Sequence, residues 1–301
     1  MSAPVHVTSV GSAIAASAHP TAPTTSYFVQ YERIETTVTD AAVPTSAGTS
    51  SFSDINQAAR SNSNVASTVD AAGNRNVFFL NARNHIQNFE QRFGTTTWIE
   101  GPLNGKSLVA AQNSHTSAAI LQNTFHLFFQ ASDNSIRRSR VATTGGTPTN
   151  DTVPAGDVAV GSALVALLIP ASNAIHLFYQ RSIGSIQMLV WNGNNTSWGV
   201  PQYVSDTFYA QPGTGIAGIG WSSQWRLYFH DRKNDIMEVG GSKEPTQVTT
   251  TEADLRIAAV NLDVSSGLTK HVLFKRATAS GVELYRAVTT DDKNWNVQAI
   301  P

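Results

Sequence analysis

Apolar residues along this chain come in short runs, and the runs recur at a fixed interval. FHLFFQ at 125–130 is followed fifty residues later by IHLFYQ at 175–180, and after another fifty by WRLYFH at 225–230. Aligned on their last residues, the runs put Gln30, Leu80, Gln130, Gln180, His230 and Lys275 in register, at intervals of 50, 50, 50, 50 and 45. Within a run the apolar side chains are successive, as in LFF, LFY and LYF. A strand with one wet face would alternate, so a continuous short run predicts a strand covered on both faces. Each run is preceded by a segment rich in small residues: SAIAAS, NVASTV, SLVAAQ, ALVALL, GIAGIG and RIAAVN. A polar turn and a third short strand follow (SIRRSRV, SIQMLVW, DIMEVG, VELYRAV), and many units close on a stretch led by tryptophan (TWIEGPL, SWGVPQ, NWNVQAIP). No sustained 3.6-residue period predicts a helix.

Four short strands per unit and six units predict one all-β domain over 1–301, a six-bladed β-propeller. The blades fall at roughly 11–60, 61–106, 107–160, 161–211, 212–252 and 253–301. The small-residue segments suit the crowded innermost strands, and the apolar runs suit second strands sandwiched between neighbouring blades. The first unit is the least regular: its turn, YERIE, is two residues shorter, and residues 45–53 read as a loose loop. The segment VHVTSV at 5–10 is expected to pair with the outer edge of the last blade and close the ring, removing an exposed strand edge.

Composition narrows the function. Hydrophobic residues are 41% and charged residues 14%, enough for a large core. A net charge of −1 with no basic run argues against a nucleic-acid binder that relies on phosphate contacts. The absence of cysteine removes disulfides, thiol nucleophiles and thiolate metal sites. No apolar stretch approaches the roughly 18 residues of a membrane span. The first twenty residues lack the basic and apolar regions of a signal peptide. Sequons at Asn150, Asn194 and Asn195 fit a secreted chain whose signal segment has been removed, which is the expected localisation. TGGTPTN and QPGTGIAGIG match no phosphate-binding loop and read as an inter-blade loop and an inner strand. No metal-ligand spacing or nucleophile elbow is present, so no cofactor or metal is expected.

Six units of this kind resemble the fungal fucose-specific lectins over essentially the whole chain. That resemblance implies sugar pockets between adjacent blades. Each takes an arginine at the head of the second strand, a glutamate twelve positions on, and aromatics including tryptophan from the next blade. Arginine donates to sugar oxygens, glutamate accepts from hydroxyls, and the aromatic covers an apolar sugar face. Here the fifth unit keeps the pair, as Arg226 and Glu238, with Trp295 as the aromatic from the next blade. Elsewhere the positions read Asn76 with Asn88, His126 with Arg138, His176 with Met188 and, across a turn one residue longer, His271 with Leu284. The first unit offers Ser26 and no glutamate. A lectin gains avidity from several equivalent sites, so the loss of most of them points to another use. The sequence is also similar to the hetero-Diels–Alderases of tropolonic sesquiterpene biosynthesis. These fungal propellers, without a metal or redox cofactor, join a tropolone-derived quinone methide to an alkene such as humulene.

Three function classes follow: a cofactor-free cyclase acting on small hydrophobic substrates, a lectin for a fucosylated glycan with most sites lost, and a non-catalytic interaction propeller. Neither nucleic acid nor membrane is expected as a partner. The catalytic candidates are Arg226, Glu238, His176 and His271; the substrate-binding candidates are Trp295, Trp225, Trp221, Tyr209 and His126. Each has a plainer reading. The imidazoles fill an old arginine slot, Arg226 and Glu238 form a cross-strand ion pair, and the aromatics pack the blade. Replacing Arg226 by alanine is expected to cost at least tenfold in activity or binding if the pair forms a working site. Arg137, Arg138 and Arg140 read as a solvated strand edge, with 138 and 140 on one face. His85 and His230 read as surface residues near turns.

Overall fold

In the computed structural model the described residues are 7–8, 14–18, 26–32, 37–44, 51–60, 63–194, 196–204, 209–241, 244–250, 256–261, 269–279, 281–291 and 293–300. They form six antiparallel sheets, one per predicted unit, each of four or five strands. The inner strands are Ile14–Ala18, Ala66–Val69, Thr116–Leu121, Leu164–Ile169, Ile216–Trp221 and Ile257–Asn261. Each packs against the next, and the last returns to the first, so the ring is closed. Small residues are needed there: a Cβ on Gly220 would stand 2.6 Å from the carbonyl oxygen of Leu168 in the neighbouring inner strand.

The second strands explain their own sequence. In the third blade, Phe125, Leu127 and Phe129 pack toward the second blade with Phe78 and Leu80. Phe128 points the other way, into a cluster with Ile175, Leu177 and Tyr179 of the fourth blade. The fourth and fifth blades repeat this: Phe178 meets Leu227 and Phe229, and Tyr228 meets Val272 and Phe274. Side chains of a strand alternate between faces, and here both faces are core. Even-numbered positions of the third, fourth and fifth second strands thus face the next blade. His126, His176 and Arg226 share that orientation.

A hydroxyl at each of four inner-strand entries ties the blade together. Ser63, Ser114, Ser162 and Thr214 accept from the backbone N–H of Leu80, Gln130, Gln180 and His230 at 2.8–3.0 Å. The last residue of the second strand then reaches the following blade: the Gln130 amide donates to the Ala159 carbonyl and accepts from Gly161 N–H, and Gln180 does the same with Gln211 and Gly213. His230 occupies this slot in the fifth blade. It is fully buried rather than at the surface, with its Nδ1 3.3 Å from the Thr214 hydroxyl. At the axial opening Arg256 reaches His115 on the opposite side of the ring.

Two strands share the outer edge of the last blade. Val7–Thr8 pairs with the Val282–Glu283 end of the third strand, and Asn296–Ala299 pairs with Tyr285–Val288. The expected N-terminal closure is therefore combined with a C-terminal one. In the first blade Ser51–Ala58 is a strand, so the predicted loose loop does not extend to 53; residues 45–50 lie outside the described residues.

Candidate functional site

Strand register, rather than counting along the chain, defines the inter-blade positions. The residue two past the head of each second strand pairs with the third strand: Phe78 with Asn88, Phe128 with Arg138, Phe178 with Met188, Tyr228 with Glu238 and Leu273 with Arg286. The sixth-blade partner of His271 is accordingly Arg286. Leu284 pairs with Lys275 instead, because the longer turn shifts the count. The third and sixth blades thus share one substitution, histidine for the arginine and arginine for the glutamate.

Arg226, Glu238 and Trp295 do come together. Arg226 Nε lies 3.6 Å from Glu238 Oε1, and the side chains are 9% and 8% exposed. The other carboxylate oxygen accepts from Tyr228 Oη at 2.7 Å and from Lys270 Nζ at 3.0 Å. Lys270 comes from the sixth blade and is completely buried. Trp221 lies under the Arg226 guanidinium at 5.4 Å, and Trp295 meets the Tyr228 ring edge-on at 6.2 Å. A Cβ on Gly240 would stand 2.6 Å from Arg226 Cδ, so glycine makes room for that side chain. The pair is an ion cluster cross-linking two blades, with Glu238 Oε2 hydrogen-bonded and Oε1 at ion-pair distance from Arg226. Lys270 and Tyr228 were missed in the sequence because contacts across the blade boundary leave no local pattern.

The remaining candidates separate. Trp225 packs on Phe178 of the fourth blade at 5.0 Å, on the opposite face of its strand from Arg226. Tyr209 precedes Ala210, which bridges to Asp231 beyond the end of the strand that Arg226 heads. Its ring carries the Arg232 guanidinium at 5.3 Å. Five residues at about 3.3 Å each separate Arg226 from Asp231, so Tyr209 belongs to the other rim. His176 is partly buried beside Phe178. His271 is 2% exposed, its pKa lowered to about 3 by burial and then by Arg286. In the second blade Asn88 bonds Asn76 and Val77, closing that position on itself.

A cleft lies between the third and fourth blades. It has a volume of about 320 Å³ and is lined by His126, Arg140, Leu121, Val141, Thr149 and Trp191, among others. His126 pairs directly across the strand with Arg140. Arg138 is not at a solvated edge. Its side chain is 1% exposed, lies 3.6 Å from the Trp191 ring, and donates Nε and Nη2 to the two Asp151 oxygens at 3.0 and 2.6 Å. Arg137 points away and pairs with Asp133, as strand alternation requires. Burial, then the charges of Arg138 and Arg140, lower the His126 pKa to about 3, so the imidazole is neutral. Its Nδ1 is buried without a partner. A bare lone pair there is cheaper than a bare N–H, which places the proton on Nε2. His126 was singled out in the sequence; Arg140, Asp151 and Trp191 gain their roles only from register and inter-blade packing.

Among the described residues no group of three potential ligands is placed to hold a metal, and no helix is long and apolar enough to cross a membrane. No family model matches the sequence, and no curated protein matches it. The fold is shared with solved propellers. A triple arginine-to-alanine variant of AofleA from Arthrobotrys oligospora superposes with a TM-score of 0.83 at 16% identity, covering 99% of this chain and 88% of that one. The Aleuria aurantia lectin, described as a six-bladed β-propeller with a novel fucose recognition mode, gives 0.78 at 22% identity, covering 99% and 97%. SapL1 lectin in complex with α-methyl fucoside gives 0.76 at 18% identity, covering 98% and 97%. The chain is thus a six-bladed propeller with the fold of fungal fucose-lectin-like proteins.

Proposed function

We propose that this chain is a cofactor-free cyclase of the hetero-Diels–Alderase type, working in the cleft between the third and fourth blades. The observation that carries this reading is the fate of the pair resembling a sugar site. Glu238 Oε2 accepts from Tyr228 and Lys270, both buried, so one of its two oxygens is committed inside the fold. The third-blade cleft offers different chemistry: a neutral imidazole and a guanidinium beside Trp191, Leu121 and Val141. A quinone methide presents a carbonyl conjugated to a methylene. Addition to an alkene forms one C–O and one C–C bond and turns three π bonds into one. Arg140 and His126 Nε2–H would donate to the carbonyl oxygen as electron density builds there, an effect of about 3 kcal/mol for a well-placed donor. Holding both partners in a reactive pose supplies several kcal/mol more.

The test is incubation with a hydroxymethyl-tropolone, which yields the quinone methide by losing water, and humulene. Adduct above the protein-free rate supports the reading; a rate equal to that control overturns it.

A second reading, carbohydrate binding, is favoured by the place of this cleft. It occupies the inter-blade position where the resembled lectins hold sugar, with polar lining beside a tryptophan. Calorimetric titration with fucose and a fucosylated oligosaccharide decides it. Saturable binding makes the chain a reduced lectin; no heat at millimolar sugar removes that reading.

A further inference from the structure

The third-blade cleft carries more positive charge than its surroundings balance. Arg138 and Arg140 both approach one carboxylate, Asp151. Arg138 holds it bidentately, and Arg140 Nε stands 3.8 Å off. The facing wall supplies no acid, since the sequence has no aspartate or glutamate from 158 to 205. Asp133 and Asp157 are engaged elsewhere, with Arg137 and Arg181. Arg140 itself lines the cleft, its side chain one-third exposed and its guanidinium 5.9 Å from the Trp191 ring. A guanidinium whose nearest carboxylate is already held bidentately by another arginine is best satisfied by an added oxyanion. The sixth blade repeats the exchange of glutamate for arginine, with Arg286 beside His271.

We propose that the cleft between the third and fourth blades selects an oxygenated ring in its anionic form, with Arg140 reading the charge. The inference rests on the cleft assigned above and deepens that assignment by naming the ionic state of the ligand. Two sources share this chemistry, a tropolonate and a sugar acid. The anion sits beside His126 and Trp191, within reach of the Arg140 guanidinium that lines the same cleft.

The experiment is calorimetric titration at pH 8 with four probes: tropolone, ionised at that pH; its neutral methyl ether; glucuronate; and glucose. At least one anion should bind tenfold or more tightly than its neutral counterpart, and added salt should weaken it. Arg140→Gln, at a partly exposed strand position, should bring the ratio within twofold in a protein that melts as the parent does. Arg140→Lys should keep most of it. Equal binding of anion and neutral probe, a ratio that survives Arg140→Gln, or no saturable binding by any probe would overturn the inference. Glucuronate binding without tropolone binding would uphold the anion preference and count against the cyclase. Adduct formation with equal affinity for tropolone and its ether would do the reverse.

Discussion

Lys270 of the sixth blade donates to Glu238 of the fifth across 3.0 Å, and the two side chains are 0% and 8% exposed. Removing the cation leaves a buried carboxylate short of one partner, which costs about 3–5 kcal/mol. Lys270→Met should therefore lower the unfolding free energy by that order in a urea titration. Adding Glu238→Gln together with Arg226→Met should restore a large part, because the cluster then carries no charge. A triple variant as unstable as Lys270→Met would show that Lys270 acts mainly through other contacts.

The inner ring tolerates no added bulk at its tightest point. Gly220→Ala would push a methyl group to 2.6 Å from the Leu168 carbonyl oxygen, and the obstacle is backbone. Overpacking of this kind costs about 1–3 kcal/mol. A melting temperature unchanged from the parent would mean that neighbouring blades slide apart freely.

Acidification should destabilise the protein well before its carboxylates titrate. Burial lowers His126 and His271 to about 3 and His230 to about 4, against about 6.5 in the unfolded chain. Between those values the unfolded state takes up protons that the folded state refuses. Stability is then full above pH 6.5 and falls steadily toward the folded values. Each such histidine contributes a slope of about 1.4 kcal/mol per pH unit below pH 6. Urea midpoints from pH 7.5 to 5 should fall, and His230→Gln, which installs the residue found at Gln130 and Gln180, should flatten the slope. A profile that is level over this range would show that the imidazoles are solvated or paired.

The blade architecture was legible in the sequence because each blade is made locally: inner strand, second strand and turn succeed one another within fifty residues. Double-sided burial of Leu127 and Phe128 could be read from their adjacency. What joins blades was less legible. Arg138 looked like part of a solvated edge because its cover, Trp191, lies more than fifty residues on in the next blade. Arg226 and Glu238 were identified as a pair from a spacing of twelve, but Lys270 had no visible reason to enter their site. Leu284 was matched to the glutamate position by counting, whereas the register, which is what places side chains on a face, selects Arg286.

Two sets of variants separate the fifth-blade cluster from the third-blade cleft. Arg226 sits beside a carboxylate that is already occupied by Lys270 and Tyr228, so Arg226→Ala should weaken the fold while leaving turnover per folded molecule within about twofold. The sequence reading expects a loss of at least tenfold instead, so this variant separates the two. His126→Phe keeps a planar ring facing the fourth blade but removes the Nε2 donor. Arg140→Gln removes the charge at the mouth of the same cleft. For the cyclase activity proposed above, each should cut kcat/KM by at least tenfold, about 1.4 kcal/mol of transition-state stabilisation, with melting temperatures close to the parent. Steady-state adduct formation and thermal melts on the same preparations give both numbers. A tenfold loss at Arg226 alongside unchanged rates at His126 and Arg140 would move the chemistry to the fifth and sixth blades and return the ion cluster to the role its spacing suggested.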